Sequence, residues 1–67
     1  MNTTSPTIGR KVRATTTTET EQAVVIEVTA IDREIESGWY VYGYRQYRTR
    51  RHMASSFPCL YFVARAS

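Results

Sequence analysis

Apolar and polar positions alternate along much of this chain, so a period of two is its dominant pattern. Between Arg10 and Thr18, Val12, Ala14, Thr16 and Thr18 share one parity while Lys11, Arg13, Thr15 and Thr17 take the other. That predicts a half-exposed strand built on β-branched threonines. Ala23 to Ile31 holds six β-branched residues in nine. As a strand it sets Val24, Ile26, Val28 and Ala30 on one face and Ala23, Val25, Glu27, Thr29 and Ile31 on the other. Trp39 to Arg48 is the densest aromatic and β-branched stretch and predicts a third strand. Gly43 in its middle marks a bulge, a sharp bend or a close approach of backbones. A last strand runs from Leu60 to Ala64, entered through Phe57-Pro58-Cys59. Pro58 has no N–H to give a ladder, which moves the start of pairing past it.

The connections follow from the same punctuation. Residues 1–9, polar and broken by Pro6 and Gly9, read as a disordered lead-in to a single domain over 10–67. Asp32 to Gly38 reads as a charged hairpin loop ending in Ser-Gly, and Thr49 to Ser56 as a polar, basic loop. A helix over about 18–37, packed on a two- to three-stranded sheet in an α+β fold, is the competing reading. It has a stripe of Val24, Val28, Ile31 and Ile35, a capping box from Thr18 and Glu21, and a stop at Gly38. It would also leave Val25 and Ile26 facing water and restrict the rotamers of a β-branched run. The strand reading is preferred, and so few short strands bury a core only by curling. The expected fold is all-β, a small antiparallel barrel of four to five short strands. The order of a basic strand, an apolar strand, a charged hairpin and a Trp-Tyr strand with a central Gly resembles small SH3-like barrels as a class.

Composition narrows the chemistry. The 67 residues include one Cys and one His, too few for an intrachain disulfide or a tetrahedral metal site. A core of this size supports about 3–5 kcal/mol of stability, which leaves room for homo-oligomerisation. No apolar run, Ala23 to Ile26 included, approaches the length of a membrane span, so the expectation is a soluble, cytoplasmic protein without a membrane role. Cys59, inside FPCLYF, reads as a buried and inert thiol. His52, beside Arg50 and Arg51, reads as solvated, and Glu34 and Glu36 as solvated hairpin residues. No Gly-rich phosphate loop is present in the sequence. The expectation is a non-enzyme with no cofactor and no metal; only a site repeated around a symmetric oligomer would reopen catalysis.

Charge then singles out one region. The net charge is +3, and residues 34–67 carry all of it together with every aromatic residue, while residues 1–33 sum to zero. Alternation places Tyr40, Tyr42 and Tyr44 on one side of the third strand, about 7 Å apart, near the pitch at which bases of a splayed single strand stack. Arg48, Arg50 and Arg51 beyond them would meet phosphates. These residues predict a small binding module for nucleic acid, single-stranded favoured. The alternative is an adaptor or inhibitor that docks the same Tyr/Arg face on an acidic protein surface. A conflict is built in, because a small β domain also needs its large rings for the core.

Overall fold

The computed structural model describes residues 5–46 and 57–65. Four antiparallel strands follow one another around a closed barrel: β1 (Lys11–Thr16), β2 (Ala23–Ile35), β3 (Gly38–Arg45) and β4 (Cys59–Ala64). No helix occurs among the described residues. The described residues are therefore all-β, a small barrel of the SH3-like kind with four strands. The helix over 18–37 is replaced by an extended strand in which Val24, Ile26 and Val28 are buried and Val25 is exposed, the in-out alternation that β-branched residues favour.

The core lies inside the ring and is small. Ala14 from β1, Val24, Ile26 and Val28 from β2, Trp39 and Val41 from β3, and Tyr61 from β4 form it, with Val12 and Val63 packed against it. Each strand contributes alternate residues, and Ile26 and Val41 are wholly buried.

β2 differs most from expectation. Its charged tail, Asp32 to Ile35, is strand and not loop, and the hairpin to β3 is only Glu36 and Ser37, because Ile35 pairs with Gly38. Charged side chains are tolerated there since this stretch of β2 is largely exposed. Two register shifts, between Val28 and Ala30 and between Ile31 and Arg33, make Thr29 and Asp32 extra residues against β3. Bulges of this kind bend a strand and increase its twist. They also switch parity: Ile31, not Ala30, lies opposite the buried Val41, and Ala30 is exposed. The Thr29 hydroxyl donates to the Tyr42 carbonyl at 3.1 Å, tying the first bulge to the neighbouring strand.

Gly43 is the close backbone approach, not a bulge. It pairs in register with Val28 on one side and Cys59 on the other, and a Cβ there would lie 2.6 Å from the Glu27 carbonyl oxygen and 3.0 Å from Ile26 Cδ1. β3 therefore keeps its alternation from end to end.

The barrel closes through a short seam. β1 pairs β4 only at Thr15 with Phe62 and at Thr16 with Tyr61. The threonine-rich turn between β1 and β2 is fixed by its own hydroxyls. Thr16 Oγ1 accepts from Gln22 N–H at 2.9 Å and donates to the Thr20 carbonyl at 3.3 Å, and Thr17 Oγ1 reaches across to the Leu60 carbonyl at 3.2 Å. Of the segment ahead of β1, residues 5–9 are described. Pro6 is buried, and Gly9, with φ +89°, sits in a turn closed by Arg10 N–H to the Thr7 carbonyl and donates to the Val28 carbonyl at 2.8 Å. That φ lies in the left-handed region, where glycine is free of the Cβ penalty. β4 begins immediately after Pro58, where the missing N–H places it.

Gly43→Ala is expected to lower unfolding free energy by about 1–3 kcal/mol, since the added methyl must displace the β2 backbone. Urea denaturation measures this, and a midpoint equal to that of the unaltered protein would contradict the close approach.

Candidate functional site

The uninterrupted alternation of β3 divides its large side chains between two faces. Trp39, Val41 and Gly43 point into the barrel and are buried. Tyr40, Tyr42 and Tyr44 point outward, Tyr40 and Tyr44 half-buried and Tyr42 38% exposed. Among the described aromatics, the core takes only Trp39 and Tyr61, so the three tyrosines of the predicted ladder share the outer face.

The ladder does not stand alone. On the β4 side, Phe62 lies opposite Tyr40 and Leu60 opposite Tyr42. The Tyr40 and Phe62 rings are 5.3 Å apart between centroids and tilted by 57°, within the separation at which aromatic pairs attract. On the β2 side, Arg33 lies opposite Tyr40, Ala30 opposite Tyr42 and Glu27 opposite Tyr44. Gln46 holds the end of β3, donating from Nε2 to the Tyr44 carbonyl at 3.0 Å and from its backbone to Val25 at 2.9 Å. Phe62 borders two shallow grooves at the seam with β1. One, about 280 Å³, also involves Arg13, Ala14, Thr15, Ala23 and Ala64; the other, about 440 Å³, is formed with Thr15 to Thr17, Glu21 and Tyr40.

Positive charge is placed differently in space from its division along the chain. Arg48, Arg50 and Arg51 lie outside the described residues, as do Tyr47 and His52. Arg65 is a structural cation. Its guanidinium lies over the Trp39 ring at 4.4 Å, donates to Glu34 Oε2 at 2.5 Å, and donates to the Ile35 and Glu36 carbonyls, each at 3.1 Å. Its backbone N–H bonds the Ser37 carbonyl, so the residue after β4 grips the whole β2–β3 turn. Glu34 is thereby engaged as the partner of Arg65 and is not a free hairpin carboxylate. The Trp39 indole N–H is buried with no acceptor among the described residues, a loss of about 1–3 kcal/mol that the ring's packing must offset.

Sequence reasoning therefore missed Phe62 and Arg33 as neighbours of the tyrosines, and Arg13 as a neighbour of Phe62. The signal that finds them is strand register, which brings β1, β2 and β4 to the outer face of β3. Cys59 is also corrected. It is exposed, because it opens β4 opposite the side-chain-free Gly43 and beyond the two residue pairs that close the seam to β1. Among the described residues no group of three His, Cys, Asp or Glu side chains is placed to hold a metal ion, and no helix is long and apolar enough to cross a membrane. Protein-family models, curated proteins and solved structures yield no match to this chain, so the face is interpreted from its own residues.

Arg65→Ala is expected to lower stability by about 2 kcal/mol, chiefly through the lost carbonyl bonds and ring contact, because Glu34, its ion-pair partner, is more than half exposed. Arg65→Lys should recover under half of that, since an ammonium cannot fork to three acceptors while lying flat on a ring. Thermal unfolding of both variants is the measurement; full recovery by lysine would mean that charge alone matters there.

Proposed function

We propose that this protein is a small non-catalytic binding module that engages nucleic acid, single strands in preference to duplex, through an aromatic face centred on Tyr40 and Tyr42 and extended by Tyr44. The observation that carries this reading is the outward placement of all three tyrosines on one unbroken strand, with Phe62 added beside them. Exposed rings on a rigid sheet offer unpaired bases flat surfaces to stack on, each worth about 1–3 kcal/mol. Single strands are favoured because bases in a duplex already cover each other's faces. The basic residues Arg48, Arg50 and Arg51 would add phosphate contacts from the adjoining segment, an expectation drawn from the sequence alone.

A second reading, a protein-interaction module that binds an acidic partner surface, has its own support in the exposure of Phe57 at 75%, two residues ahead of β4. Aromatic side chains with nearby arginines are also the residues on which protein interfaces concentrate their energy. The two readings differ in what nuclease does: a protein partner survives treatment of a pull-down, and a nucleic-acid-bridged one does not.

Fluorescence anisotropy of labelled single- and double-stranded oligonucleotides, at low and moderate salt, tests the main reading. Binding to the single strand should be in the micromolar range at low salt and weaken about ten-fold in Tyr42→Ala, whose exposed ring can be removed with little effect on folding. Absence of binding at low salt would refute it.

A further inference from the structure

We propose that single-stranded nucleic acid crosses this barrel over Phe62 and Tyr40, perpendicular to the strands, with Tyr42 at the edge of its path and its phosphates on Arg13 and Arg33, and does not run on along β3 to Tyr44. The proposal rests on the nucleic-acid reading above and specifies the path that the strand takes.

Register carries the argument. Arg33 pairs with Tyr40, Tyr40 with Phe62, and Phe62 with Thr15, so one row of outward residues crosses β2, β3, β4 and β1 in turn. Three strand spacings make that row about 14 Å long. Its middle is the Tyr40–Phe62 ring pair, and its β2 end is a cation, Arg33, whose side chain is 69% exposed. At the β1 end, Arg13 has the same outward parity as Thr15 and borders the same groove as Phe62. The row thus has rings at its centre and a guanidinium at its β2 end, with a second guanidinium two residues along β1 from its other end, the order of groups that a short stretch of single strand presents as bases between phosphates.

The path along β3 lacks that order. Tyr42 has Ala30 beside it, and Tyr44 has Glu27, a carboxylate that repels phosphate. Acidic groups near the crossing row leave its two cations available. Asp32 approaches Arg33 only at Nε, at 3.5 Å, and the fork of a guanidinium keeps further donors for a phosphate. Glu21 borders the groove that holds Tyr40, Phe62 and Thr15, not the groove that Arg13 borders, so it repels phosphate from over the rings and toward Arg13. Lys11, exposed two residues before Arg13, adds to the positive potential at that end, with Glu27 opposite it on β2.

The test uses the full chain with fluorescein-labelled oligothymidylate of about ten nucleotides, and its duplex with oligoadenylate, titrated by anisotropy between about 50 and 200 mM salt. Phe62→Ala is expected to weaken single-strand binding about ten-fold or more, whereas Tyr44→Ala changes it by less than about two-fold. Arg13→Ala and Arg33→Ala should each reduce the slope of log affinity against log salt by about 0.7. Phe62→Leu keeps an apolar group against Tyr40 while removing the ring; it should bind as weakly as Phe62→Ala and decides the matter if the alanine variant does not fold by circular dichroism. If the unaltered protein binds but Tyr44→Ala is as damaging as loss of Phe62, or both arginine variants keep the full salt slope, the crossing path is wrong and the nucleic-acid reading stands. Equal affinity for the duplex likewise overturns a path that stacks on unpaired bases. No binding by the unaltered protein at low salt removes the reading beneath it as well.

Discussion

Four strands enclose a core only if the sheet bends sharply, and here the bend comes from a mismatch in length between β2 and β3. Ile26 to Ile35 of β2 run against Gly38 to Arg45 of β3, and the excess is accommodated by Thr29 and Asp32 as unpaired residues. Placing both extra residues on β2 has two consequences. β2 coils around the core, and β3 stays regular, with Gly43 letting the Glu27 backbone come close where a side chain would block it. Everything on the outer face of β3 depends on that regularity. A single bulge on β3 would turn either Tyr40 or Tyr44 inward and break the surface.

The competition for aromatic residues between core and surface is resolved by size. A ring of four short strands has an interior that valine, isoleucine and alanine largely fill, so only Trp39 and Tyr61 are needed inside. The remaining rings on β3 and β4 are left to the outer face, where Tyr40 and Phe62 partly shield each other at 5.3 Å. A half-buried aromatic pair of this kind is stable in water yet presents flat surface, a combination that a binding face requires and an isolated exposed ring does not supply.

The strands were legible in the sequence where alternation was unbroken. β1 and the inner positions of β2 follow it, Pro58 marks the start of β4, and Tyr40, Tyr42 and Tyr44 share a face as their spacing requires. The rest was hidden for identifiable reasons. Bulges at a threonine and an aspartate carry no glycine to signal them, so the parity change at Thr29 could not be read, nor could the continuation of β2 through a charged stretch resembling a loop. Cys59 shares the parity of buried Tyr61, and only the brevity of the β1–β4 seam explains its exposure. The row from Arg33 to Thr15 joins residues from all four strands and exists only once register is known.

Charge shows the same difference between order along the chain and order in space. Dividing the chain in two assigned the entire positive excess to the aromatic half, yet Arg65 in that half is committed to Trp39, Glu34 and the β2–β3 turn. The neutral half, meanwhile, supplies the cations at both ends of the ring pair, Arg13 and Arg33. Net charge of a segment sets a field that solution ions screen within about 8 Å, so what a ligand meets is the few charges beside the groups that it touches. On this barrel those are two guanidiniums flanking two rings. In the proposed binding mode such a surface would derive most of its affinity from stacking and use charge chiefly to orient the strand that stacks.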